Sequence, residues 1–278
     1  MIMNTEKPVK TILFCTRFVL TILLFAGISY PSFAQESDTI VPVRTNPEKL
    51  LRKIDVSDIT RNGLTPWKTK FSGHFAGIDF GFNMFLNEDY SGYDAEFLEN
   101  DIFRSNSAYF NVVQQSFNLQ KNNNTLGLVA GLGLQLQSYR LDDQTTIYLD
   151  ENDVVQPEYL FFDENQKSKL ANVWLNVPLL LEWQIPVNHY DNRFYVSAGF
   201  MAGFRINSHT KIKYKTDKKQ KLKVVDDFSM RTFRYSLMLR TGYRWFNFFA
   251  SYDLVPLFKE DKGPEVTPFT FGLTLLRF

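Results

Sequence analysis

The sequence predicts an all-β protein, an eight-stranded antiparallel up-and-down transmembrane β-barrel, and three observations predict it. Apolar residues alternate with small or polar ones in segment after segment from residue 71 onward. The cores of those segments hold no lysine. The connections between them are short at one end and long at the other. A strand surface that meets water normally carries Lys and Glu, and a barrel with an apolar interior would show the same period. The missing lysines point the apolar face to lipid, where a Lys or Arg at mid-bilayer would cost roughly 2–4 kcal/mol. With no water in the hydrocarbon, every strand edge must be paired, so the sheet must close.

The N-terminus comes first. Lys7, Lys10 and Arg17 precede the apolar run FVLTILLFAGIS (18–29), and Ser32 and Ala34 flank Phe33 with small side chains. This is the layout of a Sec signal peptide over 1–34, cut after Ala34. The run is too short to span a bilayer as a helix. Cys15, the only cysteine, lies upstream of it, so the exported chain carries no disulfide and no thiol chemistry. Residues 35–70 are polar and broken by Pro42, Pro47 and Pro66, which reads as a periplasmic lead-in. Residues 71–278 read as the barrel.

The strands follow in order. Over 74–86, Ala76, Ile78, Phe80, Phe82 and Met84 oppose Gly77, Asp79, Gly81 and Asn83. The segment 107–119 is β-rich, but its alternation is ambiguous. Over 126–137, LGLVAGLGLQLQ, five leucines and Ala130 occupy one face, with Gly127, Val129, Gly131, Gly133, Gln135 and Gln137 on the other. Over 170–185, Val173 to Trp183 oppose Asn172, Trp174, Asn176, Glu182 and Gln184. Over 193–206, Phe194 to Phe204 oppose Arg193, Ser197, Gly199, Gly203 and Arg205. Over 233–245, Phe233 to Tyr243 oppose Arg234, Ser236, Arg240, Gly242 and Arg244. The last two are 247–255 and 268–278. Each is long enough to cross a bilayer at a tilt, for which about 9–11 residues suffice. The short links are 120–124, 186–192 and the corner near Trp245. The long ones are 87–104, 142–168 and 207–227, with a shorter one at 258–267. That places both chain ends in the periplasm. Trp183, Phe194, Tyr243, Trp245 and Phe278 fall near the periplasmic rim, where aromatic girdles sit.

These segments resemble the small outer-membrane barrels of the PorT-like and OmpX-like group common in Bacteroidetes. The resemblance covers about 71–278. It rests on GHFAGIDFGFNMFLN, NVPLLLEW, RTGYRW followed by SYDLVPLF, and KGPEVTPFTFGLTLLRF with its terminal Phe278. It implies location in the cell outer membrane and reading of Phe278 by the barrel assembly machinery. A PorT-like role in support of protein secretion is a further implication.

For function, the inward charges Asp79, Glu182, Arg193, Arg205, Arg234, Arg240, Arg244 and Asp253 are expected to form a paired network that plugs the lumen. An eight-stranded barrel is about wide enough for side chains alone, and unpaired buried charges are costly. The alternative is a charged pore. The first two long loops are acidic. The third, 209–227, is basic, with Lys211, Lys213, Lys215, Lys218, Lys219, Lys221 and Lys223. Ile212 and Tyr214 alternate with its lysines, so it reads as a β-hairpin turning at TDKK (216–219). It is a candidate surface for a partner, an anionic glycan or lipopolysaccharide phosphates. DENDVV (150–155) lacks the EF-hand pattern. His74, His189 and His209 are the only histidines, and none sits in a nucleophile–base–acid pattern. A formal net charge of +1 supplies no field for nucleic acid. The expectation is a non-enzymatic barrel without cofactor or metal, serving as a structural or accessory subunit of an envelope complex. The alternatives are a small pore and, third, a hydrolase at the rim with His209 as its base.

Overall fold

The computed structural model describes residues 71–278 except 94–95, 99–100, 122, 142–143, 188–192 and 216–217. The expected signal peptide with its cut, the expected lead-in 35–70, and His189 lie outside the described residues. Eight strands close a ring: β1 (Gly77–Asp89), β2 (Asn106–Asn118), β3 (Leu126–Arg140), β6 (Lys167–Pro186), β7 (Arg193–Lys215), β9 (Phe233–Tyr243), β10 (Phe246–Asp253) and β11 (Glu265–Arg277). Their order is β6-β3-β2-β1-β11-β10-β9-β7, and β7 pairs back with β6. Every pair around the ring is antiparallel. The long loops hold three further strands. β4 (Thr145–Leu149) and β5 (Val155–Tyr159) pair with each other as a separate hairpin. β8 (Lys219–Val225) pairs with the end of β7, from His209 to Lys215.

Outward positions are apolar and exposed, as Leu179, Leu181, Phe200, Leu237 and Leu239 show, while Asp79, Asn176, Glu182, Ser236 and Arg240 are buried inside the ring. On β3, Gly133, Gln135 and Gln137 are buried and Leu132, Leu134 and Leu136 are exposed. The leucines of 126–137 therefore face outward, to lipid.

The ambiguous strand has a physical cause. In β2, Asn111 faces Gly133 while Val113 faces Leu132, so Val112 is an extra residue. One inserted residue reverses the parity of everything after it. Ser107, Tyr109 and Asn111 point inward before the bulge, and Gln114 and Ser116 after it. A second bulge puts Ile206 between Arg205, opposite Trp174, and Asn207, opposite Val173.

Two sequence expectations are corrected. The first strand begins at Gly77, not at residue 74, because 71–76 run along the inside of the wall. Arg244 belongs to no lumen network. With Trp245 it forms the two-residue turn between Tyr243 and Phe246, is exposed, and takes φ 54°. Hairpin loops of that length need positive φ to match strand twist, which takes Arg244 out of the inward alternation.

Candidate functional site: a filled lumen beneath a folded platform

At the short-turn end, 71–76 form a strap whose backbone is tied down by inward side chains. Gln114 Oε1 accepts from the N–H groups of Phe75 (2.7 Å) and Ala76 (2.8 Å), and its amide donates to the Gly73 carbonyl. Ser116 Oγ accepts from Gly73 N–H, and Gln184 Nε2 donates to the Ser72 carbonyl at 2.6 Å. Glu182 accepts from His74 N–H at 3.0 Å and meets His74 Nδ1 at 2.6 Å. The His74 ring stacks on Tyr195 with centroids 4.1 Å apart. The strap drives Phe71 and Phe75 into an apolar cluster with Tyr109, Val129, Leu180, Met201, Met238 and Phe249. A Cβ at Gly127 would overlap the Phe71 ring, and one at Gly131 the Phe75 ring. Those inner-wall glycines are the sockets of the two rings. Phe278 N–H donates to the Ala76 carbonyl at 3.3 Å, so the C-terminal residue closes on the same strap.

Above it lies a polar layer. Asp79 takes both arms of the Arg240 guanidinium (2.7 and 3.0 Å), Thr274 Oγ1 at 2.6 Å and Asn111 Nδ2 at 2.7 Å. Arg240 also lies over Phe75 and Phe249, at 5.5 and 5.9 Å from their ring centroids. Arg234 pairs with Asp253 at 2.9 Å, donates to Gln135, and lies 4.1 Å over Trp174. Ser236 Oγ donates to Asp253 at 2.6 Å. The bonds continue from Trp174 to Gln137, from Asn176 to Gln135, from Gln135 to Ser107 and from Ser107 to Asn83. Charge-assisted bidentate bonds of this kind fix geometry as well as adding energy.

The remaining predicted lumen charges sit at the two mouths. Arg193 at the short-turn end donates to the Asn124 carbonyl (2.6 Å) and Gln184 (2.9 Å). Arg205 at the long-loop end donates to the carbonyls of Arg231 and Met230 and to Ser208 Oγ. Glu182 is matched by His74 rather than by an arginine.

The long loops fold together. Phe97, Leu98, Leu141, Ile147, Val155, Phe228, Met230, Leu257 and Phe258 are buried with Phe85, Tyr139, Leu170 and Val266 in one cluster across this mouth. Short bridges join Leu98 to Leu141 and Met230 to Phe258. Val155 N–H donates to the Lys262 carbonyl (2.8 Å), Lys259 N–H to that of Ser229 (2.9 Å), and Tyr93 OH to that of Val155 (2.9 Å). Asp150 uses one oxygen to accept from the N–H groups of Asn152 and Val154, both at 2.8 Å, so it holds its own turn. Among the described residues no group of three or more His, Cys, Asp or Glu is placed to hold a metal.

The third loop forms the expected hairpin, with Lys215 opposite Lys219; 216–217 of its turn lie outside the described residues. His209 and Ser208 are neighbours in β7, and successive strand residues point to opposite faces. Ser208 is buried and bonded to Arg205, whereas His209 is only part-buried. Burial, and then the charges of Lys223, Lys169 and Lys211, lower the pKa of His209.

Sequence reasoning missed the strap and the loop core. Gly127 and Gly131 were the signal for the strap. The loops' scattered apolar residues were the only signal for the core.

A family model of the outer membrane protein beta-barrel domain matches residues 67–261. No curated protein matches the chain. Among solved structures, the crystal structure of Ail, the attachment invasion locus protein of Yersinia pestis, aligns with 73% of this chain and 97% of its own. The identity is 12% and the TM-score 0.28.

Proposed function

From the premise that the chain belongs to the outer membrane protein beta-barrel domain family, we propose that it is a non-conducting, non-enzymatic barrel. It serves as a structural or accessory subunit of an envelope complex, with its folded loop platform as the docking part. One observation carries this reading: the strap and the loop cluster lie across the two mouths, with the Asp79–Arg240 and Arg234–Asp253 layer between them. Four connections that share one apolar core present a shaped surface, which suits recognition better than permeation. Support of protein secretion is the version that the resemblance to PorT-like barrels in Bacteroidetes suggests. The lead-in 35–70 is then a second contact, on the periplasmic side.

The test is capture through a tag in the turn at 216–219 after mild detergent extraction, followed by mass spectrometry. A stoichiometric envelope protein, lost when 35–70 or the platform is altered, is the expected result. Planar-bilayer recordings of the same preparation are expected to show no conductance steps. Steps whose ion selectivity changes in Arg205→Gln or Arg240→Gln would replace the proposal with a small pore. Hydrolysis of a lipid or peptide that disappears in His209→Ala would replace it with a rim enzyme.

A further inference from the structure

The β6–β7–β8 extension above the barrel carries its lysines in register. Lys169, Lys211 and Lys223 lie directly across from one another. Lys167, Lys213 and Lys221 form the next row, and Lys215 faces Lys219. Opposite residues of paired strands share a face, so all eight ammonium groups project from one side of the sheet. The register adds Lys167 and Lys169 to the lysines of the hairpin, and it leaves Lys218 in the turn. Like charges directly opposite one another destabilise a sheet, and among the described residues no carboxylate forms an ion pair with any of the eight. Lys169 and Lys211 have lowered pKa values, from burial first and then from neighbouring lysines. The other side of the extension is different in kind: Ser168, Thr210 and Ile212 are buried.

The position of the array indicates its counter-charge. Stepping by two along β6 from Trp183 to Val173 stays on the lipid-facing side, and the same steps continue through Ala171 to Lys169 and Lys167. At about 3.3 Å per residue the stretch from Trp183 to Val173 covers roughly 33 Å of strand. Tilted by about 40°, it spans an apolar band about 25 Å tall. The same arithmetic puts the first lysine row about 10 Å above the edge of that band, at headgroup level, with the other rows higher.

We propose that the lysine face of β6–β7–β8 binds the phosphorylated headgroups of the leaflet that surrounds the barrel, with the rows following the anionic saccharide upward from the membrane. The face continues the lipid-facing wall without a break, so its nearest source of phosphate is the leaflet itself.

The test uses the full barrel in vesicles of phosphatidylcholine mixed with diphosphoryl lipid A, gently extracted, with retained lipid counted by native mass spectrometry. The ratio of lipid A to phosphatidylcholine on the barrel is expected to exceed the bulk ratio by about fivefold, which is what one lysine's attraction to an anionic surface supplies. Lys211→Gln, Lys213→Gln, Lys221→Gln and Lys223→Gln combined should return it to the bulk ratio, and the four arginine counterparts should keep the enrichment. A boiling-dependent gel shift confirms that each variant is folded. A bulk ratio for the unaltered protein, or enrichment indifferent to the glutamines, overturns the proposal. So does equal retention of inorganic polyphosphate by barrels in phosphatidylcholine alone, which would assign the face to a soluble polyanion. A captured protein that shields these lysines from amine labelling, with lipid at the bulk ratio, would assign it to a protein and overturn it as well.

Discussion

The two mouths of the barrel are shut by different devices. At the short-turn end, one strap of six residues, 71–76, is held by the side chains of Gln114, Ser116, Glu182 and Gln184 and by two aromatic rings in glycine sockets. At the long-loop end, four separate connections share one apolar cluster. The first device depends on matched pairs: a given ring with a given glycine, a given amide with a given carbonyl. The second depends on an aggregate of burial in which no pair is decisive. The strap should therefore respond sharply to single substitutions and the platform should absorb them.

The largest effect belongs to the polar layer against which the strap packs. Arg240→Ala leaves Asp79 fully buried with no cation and removes the guanidinium that lies over Phe75. Breaking a buried ion pair from one side costs about 3–5 kcal/mol. Urea unfolding in detergent, followed by the gel shift, should report a loss of that size. A loss below about 1 kcal/mol, the range of an exposed pair, would show that water screens Asp79 and that the layer is not dry.

The second effect is a coupling. Phe75→Ala should cost about 3 kcal/mol, as large-to-small core changes do. Gly131→Ala puts a methyl group where the Phe75 ring sits, and such overpacking costs about 1–3 kcal/mol. In the double variant only the Val113 carbonyl oxygen, 2.8 Å from the added carbon, still opposes the methyl, so the cost of Gly131→Ala should fall well below its value beside Phe75. Simple additivity in the unfolding free energies would break the ring-and-socket account of the strap.

The same contrast explains what was legible beforehand. Strands β1, β3, β6 and β9, and β7 as far as its bulge at Ile206, show their burial period directly in the sequence, because neighbouring residues meet lipid and lumen by turns. β2 does not, because Val112 reverses its parity midway. Asp79, Arg240, Arg234 and Asp253 were legible as a charged lumen, but not who pairs with whom, since partners are set by register across strands distant in sequence. Lys167 and Lys169 escaped notice for that reason. Gly127 and Gly131 looked like a narrowing interior. A glycine marks the absence of a side chain, and nothing in 126–137 says that the space belongs to Phe71 and Phe75. The loop core was hidden differently. Phe97, Leu98, Met230 and Phe258 lie in separate, charge-rich segments with no period to connect them.

The smallest effect is expected on the platform, although its residues are as deeply buried. Phe258 is 1% exposed and bridges to Met230. If the platform shared the cooperativity of the wall, Phe258→Ala would cost the barrel about 3–5 kcal/mol. The platform meets the wall at Phe85, Tyr139, Leu170 and Val266, and is otherwise tied together by loop-to-loop bonds such as Val155 to Lys262 and Lys259 to Ser229. Such a unit opens locally, with a free energy below that of global unfolding. Phe258→Ala should therefore leave the unfolding midpoint of the ring almost unchanged. Brief proteolysis should cut the same variant within 144–166 or 254–264, where the unaltered protein resists. A matching drop in the ring's midpoint would join the two devices into a single cooperative core. An unmoved midpoint with faster cleavage would establish the platform as a separate layer, able to change its surface without endangering the barrel that carries it.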